Sequence, residues 1–116
     1  MYIAPANTDL LLSEAQKEQL YVKLVEQVNK DFTLANEPVD FEITISPINL
    51  KAGLHEKIYR LIQHKFGEYL NLLYIIDVPE KEIKSLNGSD LSDLAEQVAF
   101  LILKREWQKV WFRNRF

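Results

Sequence analysis

The sequence predicts a mostly α-helical fold, a compact bundle of about four helices with one short extended segment. Apolar residues recur at helical spacing in long stretches of the chain, which is the primary signal for amphipathic helices. The stretch from Asp90 to Phe116 is instead apolar on nearly every side. Because such a helix must be buried all round, we expect it at the centre of the domain or against another chain.

Length and composition set the domain organisation. The 116 residues suffice for one domain, and the 47% of residues that are hydrophobic supply a core. We predict an N-terminal arm over residues 1–12, where Pro5, Asn7 and Thr8 interrupt any helical period. A single helical domain is expected over residues 13–116.

The first helix is predicted over about residues 13–32. Ser13, with Gln16 three residues later, is typical of a capping box. One face of this helix carries an apolar stripe and the other is largely charged. The residues of the stripe are Leu20, Leu24, Val25, Val28 and Phe32.

The middle of the chain is predicted to be extended and then helical. Residues 40–46 alternate polar and apolar side chains, which indicates a short extended segment. A second helix over about residues 50–76 follows from a stripe that continues in register across Gly67. Its members are Leu54, Ile58, Leu61, Ile62, Phe66, Leu70 and Leu73.

An alternative fold class follows from the composition of residues 69–76, which also suits a buried strand. That strand would pair with the extended segment as a two-stranded βαβ unit in a small α+β domain.

Two further helices complete the prediction. A short one over about residues 79–86 begins after Asp77 as its cap and ends at Asn87 and Gly88. The final helix spans about residues 90–114, with Ser89 or Asp90 as its cap.

Composition and motifs exclude several classes of function. The chain has no cysteine, which excludes disulfides and thiolate metal sites. Its longest apolar runs are about six residues, well short of the roughly 20 that span a membrane. No phosphate-binding, dinucleotide-binding or metalloprotease motif occurs. We therefore expect a soluble cytoplasmic protein with no cofactor, no metal and no catalytic residues.

The leading functional hypothesis is a non-enzymatic interaction protein that self-associates, most simply as a homodimer. Its basis is the surplus of apolar surface on the final helix. The helix also carries two tryptophans, a residue type that is enriched at the hot spots of protein–protein interfaces. The residues predicted to form this contact are Phe100, Leu103, Trp107, Trp111 and Phe116.

Two alternative functions remain open. The end of the final helix is basic and aromatic, which suits contact with phosphates and unpaired bases. Those basic residues are Lys104, Arg105, Lys109, Arg113 and Arg115. The net charge of −3 makes a general nucleic-acid binder the less favoured function. A small enzyme working near His55 or His64 would need a pocket that joins one of them to a carboxylate, Glu56 or Glu68.

Overall fold

The computed structural model describes residues 1–115, which contain six α-helices and no strand. The helices are α1 (Thr8–Lys17), α2 (Tyr21–Leu34), α3 (Pro47–His64), α4 (Phe66–Ile76), α5 (Glu80–Lys84) and α6 (Leu91–Arg113). The mostly α prediction is confirmed, but the expectation of about four helices is wrong. The α+β alternative has no support in residues 1–115, because residues 69–76 are helical and residues 40–46 are turn and irregular chain.

The first predicted helix is two helices. Helix α1 begins at Thr8 and not after Ser13, because the side chain of Asn7 accepts a hydrogen bond of 2.9 Å from Leu10 N. The predicted N-terminal arm therefore contains the start of α1, whose Leu11 and Leu12 are buried in the core. Gln19 adopts a left-handed conformation with φ of 60°, which ends α1 and turns the chain into α2.

The second predicted helix is also divided. Lys65, with φ of −141° and ψ of 60°, lies between α3 and α4 and breaks the helical register. The break changes which residues of α4 face inward, so the predicted continuous stripe is wrong. Phe66 and Leu70 are exposed, and the buried face consists of Tyr69, Leu72, Leu73 and Ile76.

Helix α6 is the central element of the fold, as its apolar character predicts. It packs against each of the other five helices, and its buried residues occupy most of its circumference. Asp90 is its N-cap and accepts a hydrogen bond of 2.8 Å from Asp93 N, as predicted. The domain itself therefore covers most of the apolar surface of this helix.

The connection between α4 and α5 differs from the prediction. Asp77 is not the cap of the short helix but the C-cap of α4, in the left-handed conformation with φ of 68°. Pro79 takes the N-cap position of α5. Arg105 on α6 holds this turn by donating to the Asp77 carbonyl at 3.0 Å and to its carboxylate at 3.2 Å.

Among residues 1–115, none of the helices combines the length and the apolarity that crossing a bilayer requires.

The turn at Gln19 gives a first testable prediction. A non-glycine residue in the left-handed region costs about 1–2 kcal/mol, and glycine avoids that cost. Gln19 is exposed, so Gln19→Gly should raise the free energy of unfolding by about 0.5–1 kcal/mol. Urea denaturation measures the change, with Lys17→Gly as a matched control in helical geometry that should instead be destabilising. A loss of stability in Gln19→Gly would contradict the assigned conformation.

Candidate interaction surface

An apolar stripe lies in solvent along α4. Phe66, Leu70 and Tyr74, hereafter the α4 stripe, are spaced four residues apart and share one face of the helix. Their exposed fractions are 55%, 50% and 82%. The opposite face is buried in the core, and Glu68 is the one charged residue in the helix. The exposed side of α4 therefore carries an apolar stripe, with the exposed polar residues Glu68 and Asn71 beside it.

Gly67 adds open space to the same face. It lies one position from Phe66 and three from Leu70, so it borders the α4 stripe. A Cβ atom built at Gly67 would have no heavy atom within 4 Å outside its own helix backbone and neighbours. The backbone of α4 can therefore be approached closely at this point by another molecule.

An ion-pair cluster around the buried carboxylate of Glu37 lies beside the start of α4. The Glu37 carboxylate, nearly inaccessible to solvent, accepts hydrogen bonds from Lys65 Nζ at 2.7 Å and from Lys57 Nζ at 3.0 Å. The Lys65 bond above all, supported by Lys57, outweighs burial and holds the pKa of Glu37 below its ordinary value. The cluster thereby joins the end of α2 to α3 and to the residue that precedes α4.

This cluster gives a second testable prediction. Glu37→Ala removes two charge-assisted hydrogen bonds from a buried carboxylate, so it should lower the free energy of unfolding by about 1–3 kcal/mol. Because the folded pKa is depressed, this stabilisation is present above the ordinary value of 4.5 and is lost as the pH falls through the folded value. Urea denaturation at neutral and acid pH should show that the difference in free energy of unfolding between the wild type and Glu37→Ala becomes smaller in acid. An advantage that is independent of pH would contradict the ion-pair assignment.

An aromatic cluster joins the two ends of the described chain. The Tyr2 ring lies 5.3 Å from the Trp111 ring and 5.4 Å from the Phe112 ring, measured between centroids. The Arg115 guanidinium lies 4.3 Å from the centroid of Trp111. The chain's own N-terminal residues thus cover part of Trp111.

The predicted interface residues do not lie on one open surface. Leu103 and Trp107 are fully buried within the domain, whereas Phe100 and Trp111 are partly buried. Phe116 lies outside the described residues. A contact of Phe100 or Trp111 with a partner stays a prediction, whereas the single chain encloses Leu103 and Trp107.

The five basic residues named above, four on α6 and Arg115 just beyond its end, all have acceptors within the chain. Lys104 pairs with Glu82, Arg115 pairs with Glu18, and Arg105 pairs with Asp77. Lys109 Nζ lies 2.7 Å from Asp31 Oδ2, and Arg113 donates to Gln27 at 2.7 Å. These contacts attach the second half of α6 to α1, α2 and the α4–α5 region. Binding of nucleic acid by these residues stays a prediction and would compete with the contacts.

A pair of buried acidic groups accompanies Lys109 and was missed by sequence reasoning. Burial raises the pKa of Glu106 to about 9, and its interaction with Asp31 adds to the increase. Burial opposes ionisation of Asp31 too, but hydrogen bonding outweighs it and leaves the Asp31 pKa below its ordinary value. Lys109 Nζ is 3.1 Å from Glu106 Oε1, without the alignment of a hydrogen bond. Neutral pH lies below this pKa, which favours the protonated, uncharged form of Glu106.

Three of the four candidate enzymatic residues line an open depression of about 540 Å³ on α3. Its walls include His55 and His64, with Glu56, whose carboxylate is 2.8 Å from Arg60 in an exposed ion pair. The Nε2 atom of His55 lies 2.9 Å from the backbone carbonyl oxygen of Ser92. Glu68 does not line this depression. Within residues 1–115, no group of three or more histidine, aspartate or glutamate side chains is placed to hold a metal ion.

A groove between α1, α3 and α6 was also missed from sequence. Two adjoining depressions of about 460 and 450 Å³ share Thr8, Lys51 and Glu96. Lys51 forms an ion pair of 3.0 Å with Asp9 at its edge. The walls mix both charges with apolar side chains, whereas the α4 stripe is apolar without interruption.

Comparison with known proteins adds nothing to the geometry of the surfaces described above. No family model, curated protein or solved structure shows significant similarity to this chain.

Proposed function

We propose that this chain is a non-enzymatic interaction module that self-associates through the α4 stripe. The observation that carries the proposal is a helix face of three large apolar side chains left in solvent. An aromatic side chain presents about 150–250 Å², so the stripe exposes on the order of 400 Å². The largest apolar patch of a typical monomer is of about this size and is often functional.

Association would be driven by the transfer of the α4 stripe out of water. Burying a large apolar side chain completely contributes about 1.5–3 kcal/mol, and the three side chains are half or more exposed. The patch is smaller than the roughly 800 Å² per partner of a stable complex. We therefore expect weak association, with a dissociation constant in the micromolar range or above.

The charge distribution supports an apolar contact. No member of the α4 stripe is charged, so screening by salt should have little effect on the association. Binding through the basic residues of α6 would instead weaken strongly with salt. Salt dependence therefore separates the two surfaces.

Sedimentation equilibrium from micromolar to millimolar protein tests the proposal. The average molar mass of the wild type should rise above 13.6 kDa with concentration, whereas Leu70→Glu should remain at that mass. Tyr74→Glu provides a second variant at a more exposed position, which disturbs the fold least. Far-UV circular dichroism verifies that each variant is folded.

Ile48→Glu is the matched control, since Ile48 is 75% exposed and lies on α3. It should associate as the wild type does. A wild-type mass of 13.6 kDa at every concentration, or equal association of wild type and both α4 variants, would overturn the proposal.

A further inference from the structure

We infer that residues 38–45, hereafter the strap, open as one unit from the surface of α2 and α3 while the helices stay folded. Opening separates the strap from the side chain of Asn29 on α2 and from the surface of α3 at Gly53. This motion does not depend on the self-association proposed above.

The strap has few stabilising contacts of its own. It lies between α2 and α3 and contains no helix. None of its side chains is fully buried, since Val39, Phe41 and Ile45 are partly buried and Ile43 is 48% exposed. Its one internal backbone hydrogen bond among the described residues joins Ile45 N to Glu42 O at 3.0 Å. A segment with so few buried contacts opens at a lower free energy than the core does.

The residues at both ends of the strap are held in place without it. Glu37, directly before the strap, pairs with Lys57 and Lys65 in the ion-pair cluster. Ser46, directly after the strap, caps α3 by accepting a hydrogen bond of 3.3 Å from Asn49 N. Because these contacts do not involve residues 38–45, the strap can lift between two fixed ends without unfolding α2 or α3.

The side chain of Asn29 is the principal attachment of the strap. Its amide nitrogen donates to the Phe41 carbonyl oxygen at 2.8 Å, and its amide oxygen accepts from Phe41 N at 2.9 Å. The second attachment is Tyr21, whose hydroxyl donates to the Ile45 carbonyl oxygen at 2.6 Å. Within residues 1–115, these three bonds are all of the hydrogen bonds between the strap and the helices. Two side chains of α2 therefore hold the backbone of the strap.

The Phe41 ring is the remaining contact, and backbone strain opposes it. A Cβ atom built at Gly53 would lie 2.7 Å from Phe41 Cε1, which is too close for two nonbonded carbon atoms. The ring therefore occupies the space that a side chain would take on α3. Asp40, directly before Phe41, adopts the left-handed conformation with φ of 48°, which is disfavoured for residues other than glycine. Opening the strap releases that strain.

Amide hydrogen exchange, measured by NMR on the full chain, tests the strap because its two hydrogen-bonded amides have different acceptors. The Phe41 amide is bonded to Asn29, whereas the Ile45 amide is bonded to Glu42. If the strap opens as one unit, both amides should exchange with the same opening free energy. That free energy should be well below the value for Leu103, which is fully buried in the middle of α6.

Two variants test whether the attachments act together. Asn29→Ala removes two hydrogen bonds and should accelerate exchange of the Ile45 amide, to which Asn29 is not bonded, on the order of tenfold. Tyr21→Phe removes one and should accelerate exchange of the Phe41 amide about two- to tenfold. Asn114→Ala is the matched control, because it removes an asparagine hydrogen bond of 2.7 Å at the end of α6. It should leave both rates unchanged.

Urea distinguishes opening of the strap from unfolding of the domain. Low urea should hardly change exchange at Phe41 and Ile45 in the wild type, because opening the strap exposes little surface, but should accelerate exchange at Leu103. Acceleration of Phe41 alone in Asn29→Ala, or an opening free energy equal to that of Leu103, would overturn the inference. Tyr21→Phe removes only a hydroxyl group, so it retains the test if Asn29→Ala does not fold.

Discussion

Replacing Trp107 with alanine should lower the free energy of unfolding by about 3–5 kcal/mol. Trp107 is fully buried and is the largest such side chain in the domain. It lies on α6, which packs against every other helix, so the cavity would open where several elements meet. Since small domains are stable by only about 5–15 kcal/mol, this single change should bring the protein close to unfolding.

Urea denaturation followed by circular dichroism measures this loss, with Trp111→Ala as the matched control. Trp111 is only partly buried at the edge of the core, so its removal should cost clearly less. Trp107→Phe should retain part of the stability, because it also removes a buried indole N–H that has no hydrogen-bond partner. Equal losses in Trp107→Ala and Trp111→Ala would contradict the central position of Trp107.

Glu106→Gln should remove a loss of stability that the wild type shows as the pH rises from 4.5 to about 9. Burial and the neighbouring Asp31 keep Glu106 protonated in the folded state, whereas the unfolded chain releases this proton near the ordinary value. The unfolded state then binds fewer protons across this range, so raising the pH favours unfolding. The slope reaches up to about 1.4 kcal/mol per pH unit for one proton.

Glutamine matches the protonated glutamate in shape and does not titrate. The variant should therefore show a flatter dependence of unfolding free energy on pH and should exceed the wild type in stability at the alkaline end. Urea denaturation at both ends of the range measures the difference. Glu56→Gln, at an exposed glutamate, should leave the wild-type slope unchanged. An unchanged slope in Glu106→Gln would contradict the buried, protonated state.

The part of the fold that sequence predicts is the part with an unambiguous local signal. The all-round apolar character of residues 90–114 places α6 at the centre, and Asp90 supplies a recognisable cap. The breaks at Gln19 and Lys65 have no such signal, because neither position carries glycine or proline. A helical period that continues across each break therefore predicts one helix where the structure has two.

The sequence does not predict the candidate interaction surface, for a related reason. Helix α4 has apolar residues on both faces, so periodicity alone does not distinguish its inner face from its outer face. The break at Lys65, whose side chain pairs with Glu37, changes the orientation of α4 and leaves Phe66 and Leu70 in solvent. Glu106 was missed because its raised pKa follows first from burial in the fold and then from Asp31, which is distant in sequence and close in the fold.

The measurement that tests the central claim most directly is the molar mass of the unmodified chain, by size exclusion coupled to light scattering at low and high salt. Self-association through the α4 stripe predicts a mass above 13.6 kDa that rises with concentration and is retained at high salt. A mass of 13.6 kDa throughout, or association that disappears at high salt, would contradict the claim.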